Sequence, residues 1–176
     1  PMDTGAPTPS HHDGMAVVAQ RGSSIILVRN HEVTSDEGSF AEAERSYDRL
    51  AGGGTTNLEF DVDKGEIVRT WASLSGTVTN CCGGPTPNES WLTCEEILVD
   101  DGKLGSGSAS GHRTALEKRH GYVFEVPAFD MPSAKPIKDM GCFAHEAVAV
   151  DPESGAIYLT EDRYVEAGFY RFLPND

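Results

Sequence analysis

Short apolar runs of five to nine residues, broken by turn residues, recur from one end of the chain to the other and predict a protein built almost entirely of strands. The runs fall at 15–19, 24–29, 55–62, 66–74, 77–81, 90–94, 121–126, 136–140, 147–151, 156–160 and 168–173. Asp63-Lys64-Gly65 and the stretch 151–155 carry the Asp, Pro and Gly that tight turns require. One segment departs from this rhythm. Phe40, Ala43, Tyr47 and Leu50 recur at helical spacing and are followed by three glycines, which predicts a short amphipathic helix near 39–50.

The strands are organised in a repeat. SIILVRNHE (24–32), SWLTCEE (90–96) and AIYLTEDR (156–163) each run apolar and end in carboxylates. A glycine-led strand follows each one (GGTTNLEFD, HGYVFEVPA, AGFYRFLPND), and an inner-strand candidate precedes each (HDGMAVVA, TVTNCC, HEAVAVD). Glu32, Glu96 and Glu161 recur at intervals of 64 and 65 residues, and Cys81 and Glu146 lie 65 apart. A four-stranded unit at a fixed period is the signature of a β-propeller. A β-sandwich with coincidental spacing is the alternative. The 176 residues hold two and a half to three such units, whereas a ring needs about four to eight. The expectation is therefore a partial propeller domain spanning 1–176, completed by chain outside it.

Equivalent positions of successive blades converge on a propeller axis, so the repeat predicts which polar residues meet. Asp13, Cys81 and Glu146 form one set; Asn30 to Glu32, Glu95 with Glu96, and Glu161 with Asp162 form another. Carboxylates facing one channel repel one another unless cations lie between them. Carboxylate and amide oxygens suit calcium, and a thiolate suits a transition metal. His31 and His145 read as buried, hydrogen-bonded side chains, and Cys94 and Cys142 as unreactive. Cys81 and Cys82 are adjacent, which suits a structural disulfide framework poorly.

Composition narrows the partners. With 14 basic and 28 acidic residues the formal charge is −14, and no basic face for a nucleic acid can be assembled. No apolar run approaches the length of a membrane span. The chain opens at Pro1 without an initiator Met, so a preceding segment is expected.

LVRNHE, GGTTNLEFD, SGTVTNCCGGPTP with SWLTCEE, HGYVFEVPA, FAHEAVAVDPESG and YLTEDR with GFYRFLP resemble the PhoX alkaline phosphatases, in order and over nearly the whole chain. The resemblance implies a six-bladed propeller, calcium and ferric iron as cofactors, and hydrolysis of small phosphate monoesters. It also implies twin-arginine export to the periplasm or the exterior. It makes one cysteine of the pair an iron ligand, taken as Cys81, with Glu96 and Glu146 as its catalytic companions. Glu95, Glu161, Asp162 and Glu32 become further metal ligands, and Asn30 with Glu32 contributors to a phosphate or calcium site. A monomer is expected. Because later blades of the family supply more ligands, turnover by these residues alone is expected to be weak or absent. Two departures stand out: Asn88-Glu89 where the family pattern has Trp-Gly, and Cys142 where it has arginine. The competing readings are a calcium-dependent propeller lactonase or esterase, which does not need Cys81, and a non-catalytic calcium-binding domain.

Overall fold

The computed structural model describes residues 1–34, 37–100, 103–104 and 116–175. Three antiparallel sheets dominate it. The first is a meander of β1 (His12–Arg21), β2 (Ser24–His31), β3 (Gly53–Asp61) and β4 (Glu66–Thr77), in that order. The second joins β5 (Asn80–Pro85), β6 (Ser90–Glu95) and β9 (Val123–Pro127), and the third β10 (His145–Val150), β11 (Ile157–Glu161) and β12 (Phe169–Phe172). A two-residue hairpin, β7 (Val99–Asp100) and β8 (Lys103–Leu104), lies between β6 and β9. Among the described residues no sheet closes on itself. The first strands of the three sheets neighbour one another, β1 beside β5 and β5 beside β10.

The middle sheet is apolar on both faces because it is covered on both. Trp91 from β6, with Phe124 and Val126 from β9, packs on Val18, Ile26, Val28 and Leu74 of the first sheet. The alternate residues Leu92, Cys94 and Val123 pack on Val148, Ile157 and Leu159 of the third. The period-two alternation of the two strands thus builds two cores at once. Burying each large side chain contributes about 1.5–3 kcal/mol.

Three predicted elements differ. The stretch 77–81 is divided between two strands, Thr77 closing β4 and Asn80 with Cys81 opening β5. Over 39–50 only Ala43–Arg45 turns, as a single 3-10 turn. The backbone there is drawn to β4 instead: Phe40 N donates to Ser75 Oγ, Tyr47 N to the Ser75 carbonyl and Asp48 N to the Gly76 carbonyl. The helical spacing reflects Tyr47 packing against the core while Leu50 stays outside. The stretch 136–140 holds a 3-10 turn, Lys138–Met140, rather than a strand, although Ile137 N still bonds the Val123 carbonyl at the edge of β9.

Gly76 stands where β4 meets this docked segment. Its φ is +72°, and an added Cβ would collide with the Asp48 backbone. At Gly22, φ is +60° but no atom of the described residues lies within 4 Å of an added Cβ. Urea unfolding should therefore separate two chemically identical changes: Gly22→Ala is expected to cost about 1–2 kcal/mol, and Gly76→Ala about 3–5 kcal/mol. Equal losses would mean that the 40–50 segment is not docked as described.

Candidate metal centre

Each of the three first strands carries an irregularity at the same place. In β1, His12 pairs with His31 and Met15 with Arg29, which leaves two residues opposite one. In β5, Asn80 pairs with Glu95 and Gly83 with Thr93. In β10, His145 pairs with Glu161 and Val148 with Leu159. Each is a β-bulge with one extra residue, a device that re-aims a side chain out of the pleat. The bulged residues are Asp13-Gly14, Cys81-Cys82 and Glu146-Ala147, so the repeat-equivalent trio Asp13, Cys81 and Glu146 sits on equivalent bulges. The strands approach closely there. A Cβ on Gly14 would lie 2.8 Å from the Cys81 carbonyl oxygen, and one on Gly84 would collide with the Val148 carbonyl.

The bulges bring donors from three segments together. Cys81 Sγ and carboxylate oxygens of Glu96 and Glu146 all lie within 4.8 Å of one another, the three residues half-buried. Cys81 Sγ is 3.4 Å from Glu146 Oε1. Burial pushes the Cys81 thiol far above its usual range, reinforced by Glu96, Glu146 and Asp13 around it. Burial likewise raises Glu96 to about 7, assisted by a hydrogen bond with Asp162. Glu32 is raised by burial and by its hydrogen bond with Asp13, with a smaller push from Glu146. Glu32, Asp13, Glu146, Cys81, Glu96 and Asp162 thus interact electrostatically in one group. One soft sulfur among hard oxygens fits a transition metal at Cys81 and leaves oxygen ligands for a harder ion beside it.

The ladder also corrects the alignment of the carboxylates. Glu95 and Glu161 occupy equivalent paired positions facing Asn80 and His145. It is Glu32, Glu96 and Asp162, one residue further along, that follow the three second strands. Glu161 instead accepts a hydrogen bond from the Tyr170 hydroxyl at 2.8 Å. Glu95 is fully buried, and both its oxygens are engaged inside the protein. Oε1 accepts from Val78 N (2.9 Å) and lies 2.6 Å from His120 Nδ1, while Oε2 accepts from Gly121 N and Tyr122 N. Asn30 is also fully buried. Its amide donates to the carbonyls of Cys81 and Cys82 and accepts from Trp91 Nε1 and Thr93 Oγ1, which uses its whole hydrogen-bonding capacity. Its place is therefore behind the Cys81-Cys82 bulge, holding it to the first sheet.

His31 is buried and bonded to the Ser10 carbonyl and Thr56 Oγ1. His145 is buried and stacked 3.6 Å from Phe143, and neither ring nitrogen meets a partner in good hydrogen-bond geometry among the described residues. Cys94 is fully buried, which drives its thiol well above the usual range. Cys142 sits against the His120 carbonyl. Glu89 takes a positive φ of 56° and grips Arg21 through both carboxylate oxygens. Sequence reasoning passed over Asp48 and His120. Their signal was only a lone Asp inside an apolar pattern and a His ahead of a Gly-led strand.

A family model described as alkaline phosphatase PhoX matches residues 60–176. No curated protein and no solved structure matches the chain.

The raised carboxyl of Glu96 has a measurable consequence in metal-free chain. A folded pKa above the unfolded value means its contribution is fully present below about pH 4.5 and is lost as pH rises through about 7. Glu96→Gln removes that loss. The melting temperature of Glu96→Gln minus that of the parent, measured in chelator, should therefore grow between pH 5 and pH 8. A difference that is flat or shrinks over that interval would show that Glu96 is not crowded by acids.

Proposed function

The chain belongs to the PhoX alkaline phosphatase family, and we propose that it contributes the Cys81 metal centre of a calcium- and iron-dependent phosphomonoester hydrolase. Phosphatase chemistry and metal dependence are properties of the family. The observation that carries the assignment to these residues is the convergence of Cys81, Glu96 and Glu146 from separate segments. Glycine-relieved close approach at equivalent bulges supports it.

In this reading the Cys81 thiolate and the Glu96 and Glu146 carboxylates hold ferric iron, while Asp13, Glu32 and Asp162 supply oxygens for calcium. The metals, when bound, supply Lewis-acid charge that a phosphate ester needs in a protein of net charge −14. The chain's own contribution is placement. Asn30 donates to the two carbonyls of the Cys81-Cys82 turn, so the thiol is presented by a backbone tied to the first sheet. The sheets behind the cluster exclude water from one side of it, and exposed Asp13 and Asp162 mark the open side. The substrates are small phosphate monoesters. Nucleic acid is disfavoured by the acidic surface, and a monomer is the expected state.

The three meanders with neighbouring first strands support a propeller, six-bladed by family, in which residues 1–176 form one part of a single catalytic domain. Export to the periplasm or beyond accords with the family, which is generally exported. No helix among the described residues is long and apolar enough to cross a membrane.

Metal analysis of the purified chain, with turnover of an aryl phosphate as the second readout, tests the proposal. Iron and calcium are expected to co-purify or reconstitute, and Cys81→Ser should lose the iron while keeping calcium. Calcium without iron, together with lactone or carboxylic ester hydrolysis, would overturn the phosphatase assignment in favour of a propeller lactonase.

A further inference from the structure

Behind the metal cluster lies a second group of ionisable side chains. Asp48, Glu95 and His120 are all completely buried. His120 bridges the two acids, Nδ1 at 2.6 Å from Glu95 Oε1 and Nε2 at 3.3 Å from Asp48 Oδ2. The Tyr47 ring lies edge-on to the imidazole at 5.3 Å. Asp48 in turn accepts backbone N–H groups from Leu50, Glu117 and Lys118. Each carboxylate thus has backbone donors as well as the imidazole, the condition under which buried charge persists. Burial disfavours the protonated imidazole, but Glu95 and Asp48 outweigh it.

The partners of Glu95 are not arbitrary. Val78 N lies three residues before Cys81, on the link from β4 to β5. Glu96 is the next residue, and its own N–H bonds the Thr79 carbonyl on the same link. Gly121 donates its N–H to Glu95, while its carbonyl accepts from Phe143 N, three residues before Glu146. One buried carboxylate therefore touches, directly or through one backbone bond, all three segments that carry Cys81, Glu96 and Glu146.

We propose that Glu95, clamped by His120 and Asp48, is a positioning residue that sets the spacing of the Cys81, Glu96 and Glu146 donors without ligating metal itself. This rests on the reading of those three residues as a metal centre. Glu95 has four acceptor positions and four donors aimed at them, so none remains for a cation. If His120 releases it, the carboxylate is left short of a donor and the three segments lose their common anchor. Partners that orient ligands typically alter metal affinity by about 10–100-fold.

The two amide substitutions of His120 distinguish positioning from general stability. The Asn amide reaches the place of Nδ1 and can still donate to Glu95, whereas the Gln amide reaches the place of Nε2 and serves Asp48 instead. The full chain is titrated with ferric citrate, well below each variant's melting temperature, following the thiolate-to-iron absorption and the bound iron. His120→Gln is expected to weaken iron binding 10–100-fold and shift the absorption, and His120→Asn to stay within about threefold of the parent. Cys81→Ser is run alongside and should lose the absorption altogether.

If the parent binds iron through Cys81 and both His120 variants match it, the positioning role is overturned and the metal centre stands. Equal weakening in both variants also overturns it, because donation to Glu95 would then not matter. No thiolate-to-iron absorption in the parent removes the metal centre and this inference together. Hydrogen exchange provides a readout that needs no variant: iron should slow the amides of Val78, Gly121 and Tyr122 at least tenfold, although each of them donates to Glu95 and none is itself a ligand. Unchanged exchange at all three would count against the coupling.

Discussion

The backbones of β1, β5 and β10 run closer than side chains allow, and most of the molecule follows from that constraint. Where these strands meet, Gly14 faces the Cys81 and Cys82 backbone and Gly84 faces the Val148 carbonyl, with no room for a Cβ on either glycine. Strands so close cannot keep regular alternation and still hold polar side chains between them. Each instead carries a bulge, at Asp13-Gly14, Cys81-Cys82 and Glu146-Ala147. Acids that would otherwise point to different faces are turned toward one another. Their mutual repulsion is the physical basis for expecting a cation.

Such an arrangement needs a rigid backing, and the backing is polar rather than apolar. Asn30 joins the first sheet to the Cys81-Cys82 turn, and Asn57 donates to the carbonyls of Pro127 and Ala128 at the end of β9. Asp48, Glu95 and His120 join the 40–50 segment, the link before β5 and the start of β9. A hydrophobic core of equal volume would be at least as stable, since desolvating charges is costly. What a polar network adds is uniqueness of geometry, because each donor must find one particular acceptor. The apolar cores on the two faces of the middle sheet supply most of the cohesion. The polar ties decide where the strand ends lie.

Much of this was legible in the chain. The alternation of apolar and polar residues located most of the strands, and the matching inner-strand segments, with Cys81 and Glu146 65 residues apart, singled out Asp13, Cys81 and Glu146, because equivalent bulges leave equivalent sequence. The spacing aligned Glu161 with Glu96, one residue short of Asp162. Spacing alone cannot register a one-residue offset when two acids are adjacent. Segment 40–50 misled for a different reason: apolar residues at helical intervals are also compatible with a segment docked on a strand, Tyr47 packed inward and Leu50 outside, and the hydrogen bonds to Ser75 and Gly76 depend on partners 28 to 35 residues away. Glu95 looked like its neighbour Glu96 for lack of any local difference between them. Only the burial of one and the half-exposure of the other separates a structural carboxylate from a candidate ligand.

The bulges carry one more consequence. An extra residue in a strand changes the parity of everything beyond it, so the outward or inward facing of a side chain depends on a count rather than on chemistry. A single-codon deletion at any of the three bulges would leave a ladder able to pair regularly and a core able to pack. It would also turn Asp13, Cys81 or Glu146 away from its companions. The capacity to gather ligands at the meeting point of these sheets is therefore written in the number of residues as much as in their identity. Insertions and deletions, more than substitutions, are the changes through which such a fold could gain or lose a metal.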